Sequence, residues 1–195
     1  GIKERNYLGK GITLDSNLTL SDDQIKGKFQ VINPNYKNTD KSLNTSIEST
    51  ASDFMTSSGY KTSRTGFRIG TGFEQYEDFF VNINLSGFYE KLETSSAATA
   101  IKKKQEGDYI ENLFSYSVTL NKLDQNYQPT DGYLTSFSQV LPIYSEDLTI
   151  ENSLNMSKYY SASDDLIFSA KFYLKAVNSI DDNVRVSKRV YIPSS

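Results

Sequence analysis

In the stretch 114–121 every second residue is apolar: Phe114, Tyr116, Val118 and Leu120 fall on one side, Ser115, Ser117, Thr119 and Asn121 on the other. Only a β-strand has a side-chain period of two. The stretch runs into LDQNYQPTDGY, residues 123–133. There Pro129 fixes its own φ and offers no amide donor, and Asp131-Gly132 sets a short polar residue before one free to take positive φ. A second alternating run begins at Tyr133, so the unit reads as a β-hairpin.

The same period recurs along the chain. Ile12, Leu14, Leu18 and Leu20 alternate with Thr13, Asp15, Asn17 and Thr19, and Ile25, Phe29 and Val31 alternate with Lys26, Lys28 and Gln30. Runs over 42–53, 61–73, 79–89, 148–160 and 166–176 repeat it, with residues 1–6 as a partial strand. Residues 54–60 read as a loop, residues 90–108 as a long polar loop, and the closing run VRVSKRVYIPSS as strand-like. Helical periodicity is absent throughout. The expected fold class is all-β, an antiparallel up-and-down meander of about nine or ten strands forming an open curved sheet.

Composition removes several kinds of chemistry. Histidine and cysteine are both absent, so there is no disulfide, no thiol and no nucleophile with its usual base. Net charge is −3 and the basic residues are dispersed, which argues against a nucleic-acid partner. The pairs Asp22-Asp23, Asp164-Asp165 and Asp181-Asp182 lack the spaced oxygen donors of a calcium loop and read as turn residues. Lys102-Lys103-Lys104 reads as a solvated loop run rather than a lipopolysaccharide contact. Gly66, Gly70 and Gly72 have no Lys-Ser/Thr after them and read as strand glycines that permit curvature or close packing. No catalytic, cofactor or metal residue is therefore assigned.

The longest apolar stretches, such as Phe79-Phe80-Val81 and Leu166-Ile167-Phe168, are far short of the roughly 18 residues of a transmembrane helix. A membrane would have to be crossed by strands. The runs suit a tilted bilayer crossing, and turns are short at one end and longer at the other, the habit of an outer-membrane barrel. Tyr7, Tyr36, Tyr60, Tyr76, Tyr109, Tyr127 and Tyr144 lie near run ends, where a ring with a polar tip suits a membrane–water boundary. The lipid-facing set is expected to include Ile12, Leu14, Phe29, Val31, Val81, Ile83, Phe168 and Phe172.

Three turns carry Asn-Tyr in the same setting: NYLGKG at 6–11, VINPNY at 31–36 and NKLDQNYQPTDGY at 121–133. In this order and spacing they resemble the β-barrel of the BamA-type outer-membrane assembly factors, the bacterial surface antigen family. The resemblance implies that residues 1–195 are part of a sixteen-stranded transmembrane barrel, from the end of its second strand through its eleventh and into the long sixth loop. The POTRA repeats, the last strands and that loop's Arg-Gly-Phe-type motif would lie outside. It makes Asn6, Tyr7, Gly9, Asn33, Pro34, Asn35, Tyr36, Asn126, Tyr127, Pro129, Thr130, Asp131 and Gly132 periplasmic turn residues. The implied work is non-enzymatic insertion of other barrels into the outer membrane of a Gram-negative bacterium. Its partners would be outer-membrane lipid, unfolded outer-membrane proteins and accessory lipoproteins. A secretion transporter of the two-partner type, a passive porin and a soluble carbohydrate-binding β-sandwich remain the alternatives.

Overall fold

A computed structural model describes residues 1–146, 148–163, 165–180 and 184–189. The strands are β1 (Ile2–Tyr7), β2 (Ile12–Ser21), β3 (Gln24–Asn33), β4 (Ser42–Phe54), β5 (Tyr60–Tyr76), β6 (Phe79–Thr94), β7 (Gly107–Leu123), β8 (Gly132–Ser145), β9 (Thr149–Ser163) and β10 (Leu166–Ser179). They form one sheet of ten strands in sequence order, each antiparallel to the next, with β1 and β10 at its two edges. Two four-residue helices, α1 (Met55–Ser58) and α2 (Ala100–Lys103), sit in the connections at one end.

Register makes the two faces continuous. Leu14, Val31, Thr45, Ile69, Leu85 and Phe114 share one rung, and beside them on the opposite face run Asp15, Gln30, Ser46, Arg68 and Ser86. All eight residues expected to face lipid lie on the first, apolar face. Burial runs opposite to a water-soluble protein. Among the described residues the buried apolar side chains are Tyr60, Phe88, Leu92, Leu113 and Val186, the first four pointing from the polar face and the last packed against it. Phe67, Ile47, Phe168 and Phe172 on the apolar face are each more than 45% exposed. No second layer covers that face among the described residues.

Polar groups on the apolar face find partners there. Tyr116 Oη donates to Gln139 Oε1 (3.1 Å), and Gln139 Nε2 donates to Asn152 Oδ1 (2.7 Å). Such a chain removes much of the cost that unpaired amides would carry away from water.

Several element boundaries differ from the sequence expectation. Residues 90–94 and 107–108 belong to β6 and β7, so the expected loop 90–108 shrinks to 95–106. The charged residues there, Glu90 above all, look like loop, but Glu90 is only 2% exposed and its charge is met by Arg185, from the segment after β10. Residues 54–60 hold α1 rather than plain loop. Within VRVSKR the structure forms a single 3-10 turn at Val186–Lys188, not a strand; Val190 onward, like Asp164 and Asp181-Asp182, lies outside the described residues.

Candidate functional site

The polar face carries a compact ion network built from strands and from the segment after β10. Alternation places Arg64 (β5), Glu90 (β6) and Glu111 (β7) on that face, and residues 184–189 lie across it. Arg185 spans both acids: Nη1 donates to Glu90 Oε2 and Nη2 to Glu111 Oε1, each at 3.1 Å. Arg64 Nη2 reaches the other oxygen of Glu111 at 3.1 Å, and Lys188 pairs with Glu111 while donating to Thr149 Oγ1 at 3.0 Å. Arg185 is 1% exposed and Glu111 is fully buried. A charge pair so enclosed holds only when its hydrogen bonds are made, and removing one member strands the others.

Aromatic rings complete the seat. The Arg185 guanidinium lies 3.5 Å from the centroid of Tyr109, and that of Arg64 lies 3.5 Å from Phe88. Tyr109 Oη donates to the Gln105 carbonyl (2.6 Å), and Gln105 Oε1 accepts from the Val186 amide (2.9 Å), tying the 95–106 connection to the segment. Val186 packs with Tyr60 and Leu92. Tyr60 and Tyr109 are therefore not boundary tyrosines as expected: even positions of β5 and odd positions of β7 point to the polar face, where both rings join this cluster.

Gly66 makes room for the network. It faces Phe88 across the β5–β6 ladder, and a Cβ there would run into the Phe88 ring and the Gly87 carbonyl. Gly66→Val is expected to lower the unfolding midpoint in denaturant, at a cost of about 1–3 kcal/mol from overpacking. An unchanged midpoint would show that Phe88 does not lie against this backbone.

The expected turn residues gather at one end of the sheet, because the β1–β2, β3–β4 and β7–β8 connections all lie there. The Asn6 side chain accepts from the Gly11 amide (2.8 Å), and the Gly9 amide bonds the Asn6 carbonyl (2.9 Å). After Asn33-Pro34-Asn35, Tyr36 opens a 3-10 turn whose amide bonds the Lys41 carbonyl (2.9 Å). Asn126 Oδ1 accepts from Asn121 (3.0 Å), whereas Tyr127 is 79% exposed. Gly132 has φ +98°, and a Cβ there would strike the Lys122 carbonyl. Of the remaining candidate ligands, Lys103 donates to the Ser96 carbonyl (2.6 Å) inside the connection, and no acidic cluster able to hold a metal occurs among the described residues.

Asp124 organises the 123–133 turn, a role the sequence reading did not assign. It accepts from Thr130 Oγ1 (2.6 Å), Thr130 N (3.1 Å) and Asp131 N (3.2 Å). The Thr130 hydroxyl bond, followed by the backbone amides, holds its carboxyl below the ordinary value. A lowered folded pKa means this contribution is present above the ordinary carboxylate range, near pH 4, and fades as pH falls through the lowered value. Hydrogen exchange of the Thr130 and Asp131 amides should be slowed at pH 7, and the slowing should disappear in Asp124→Ala. Equal protection in both proteins would remove Asp124 from this role.

A family model, the Omp85 superfamily domain, matches residues 6–193, nearly the whole chain. The chain belongs to the Omp85 superfamily. Among solved structures, this Omp85 chain is similar to BamA from Haemophilus ducreyi lacking POTRA domains 1–3, with a TM-score of 0.79 at 20% identity. The match covers 92% of the Omp85 chain and 38% of the BamA chain, and establishes a shared fold. The ion network was missed in the sequence of this Omp85 chain because its members lie far apart, with Arg185 separated from Glu90 by 95 positions. No local signal marks it, since Glu90 and Glu111 stand among other charged and polar residues such as Lys91, Glu93, Asp108 and Asn112.

Proposed function

We propose that this Omp85 chain is part of the transmembrane barrel of an outer-membrane assembly factor, which folds and inserts other β-barrel proteins without covalent chemistry. The observation that carries the reading is the inverted burial: large apolar side chains outside, charges and a seated segment on the polar face. On this reading the apolar face meets lipid, with Ile12, Leu14, Phe29, Val31, Val81, Ile83, Phe168 and Phe172 among its contacts. From Phe79 to Tyr89 on β6, a strand rise of about 3.3 Å and a tilt of about 40° give roughly 25 Å, the height of an outer-membrane apolar band. The Asn-Tyr turns then face the periplasm, and residues 184–189 begin the long sixth loop inside a sixteen-stranded barrel. Unfolded outer-membrane proteins and accessory lipoproteins are the implied partners, in the outer membrane of a Gram-negative bacterium.

Depletion of the full-length protein in its host tests the function. Many unrelated outer-membrane barrels should fall together; loss of a single secreted protein would point instead to a secretion transporter, and normal levels of both would sink the proposal. The porin alternative fares worse, since residues 184–189 occupy the face that a porin leaves open to water.

A further inference from the structure

We propose that the apolar face carries a binding site for one phospholipid with a phosphoethanolamine head, where β7, β8 and β9 reach the short-turn end. The proposal rests on the reading that this face meets lipid. Register puts Lys122, Tyr133 and Lys158 on one rung, and the next rung toward the sheet centre is Leu120, Thr135, Met156 and Phe172. Two cavities meet at this change from charged to apolar. One, a shallow recess of about 400 Å³, is bordered by the charged side chains of Asp78, Lys122, Asp124 and Asp131; the other is an apolar groove of about 440 Å³ over Thr135, Met156, Ala170 and Phe172. Tyr133 and Lys158 border both. Ala170 stands opposite Lys158 in the β9–β10 ladder, and its small side chain leaves the groove open. A recess rimmed by charges and adjoining an apolar groove, on this reading at the level where strands leave the bilayer, matches a lipid head and the start of its acyl chain.

Charge selects the head group. Lys122 Nζ lies 2.7 Å from Asp78, and Lys158 Nζ lies 3.9 Å from Asp131 and 5.8 Å from the Tyr133 ring centroid. With Asp124, three carboxylates stand against two ammonium groups around the recess, so an anionic head would meet a rim already negative in balance. A zwitterionic head brings one charge of each sign. Its phosphate suits the two lysines and the Tyr133 hydroxyl, and its primary ammonium suits Asp131 and Asp78, as charge-assisted hydrogen bonds. A trimethylammonium head has the same charge but no N–H to donate, so the site should prefer phosphatidylethanolamine to phosphatidylcholine.

Native mass spectrometry of the full-length protein in detergent, titrated with chain-matched phosphatidylethanolamine, phosphatidylcholine and phosphatidylglycerol, tests this. Phosphatidylethanolamine should be retained most strongly. Each lysine near a phosphate is worth about a factor of five, so Lys122→Ala/Lys158→Ala should weaken its retention about ten-fold, the neighbouring acids offsetting part of the loss. Asp131→Asn keeps an acceptor for the Gly132 amide and should erase the preference over phosphatidylcholine. Equal retention of all three lipids, or no effect of the double substitution, overturns the site. An Ile83→Trp variant in brominated-lipid vesicles separates the two levels: quenched emission with no lysine effect refutes only the head-group site, whereas absent quenching refutes the lipid-facing reading beneath it.

Discussion

Replacing Arg185 by methionine is expected to lower the stability of the folded full-length protein by about 3–5 kcal/mol, the usual consequence of stranding buried charges. The substitution keeps most of the side-chain volume but removes both guanidinium bonds, leaving Glu90 without its bond from Arg185 and Glu111 with Arg64 and Lys188. Urea titration read by the mobility of folded protein on unheated gels measures the loss. A double-mutant cycle sharpens it. Glu90→Gln can still hydrogen-bond but no longer carries a charge, so Arg185→Met should cost less in that background, by a coupling of about 1 kcal/mol or more. A loss below about 1 kcal/mol in the wild-type background would mean that residues 184–189 do not rest on the polar face.

The sheet was legible in the sequence because its signal is local. Alternation between neighbours such as Leu166, Phe168 and Ala170 against Ile167, Ser169 and Lys171 fixes both the strand and its faces, and a two-residue link such as Asp22-Asp23 fixes the next pairing. The reading failed where a polar face departs from polar residues. Leu92 and Tyr109 point inward and Lys91 points outward, reversing the pattern at the ends of β6 and β7, so the ends of those strands passed for loop. The ion network could not be read at all. Whether Glu90 is solvated or buried depends on Arg185, which lies 95 positions away in the sequence. The Asp124 turn stood between these cases: Pro129 and Gly132 announced a reversal, but the residue that accepts its hydrogen bonds carries no mark beyond being an aspartate.

Exchanging charge between the two faces at one depth should separate a lipid-facing surface from a water-facing one with a single pair of neighbours. Ile69 on β5 is 43% exposed on the apolar face, near the middle of its strand, and Arg68 beside it points to the polar face. A charged residue facing lipid near the midplane of an outer-membrane barrel costs about 2–4 kcal/mol, whereas a change on the lumen side mainly tunes what the interior accepts. Ile69→Arg should therefore lower the unfolding free energy in lipid vesicles by about 2–4 kcal/mol, and Arg68→Leu by less than about 1 kcal/mol. In a water-soluble sandwich the order would reverse in kind: an arginine on an exposed apolar surface would be tolerated, and its solubility would improve. Folding yield into vesicles, followed by protease protection, reads both variants in one assay. Comparable losses in the two would remove the distinction between faces on which the membrane reading stands.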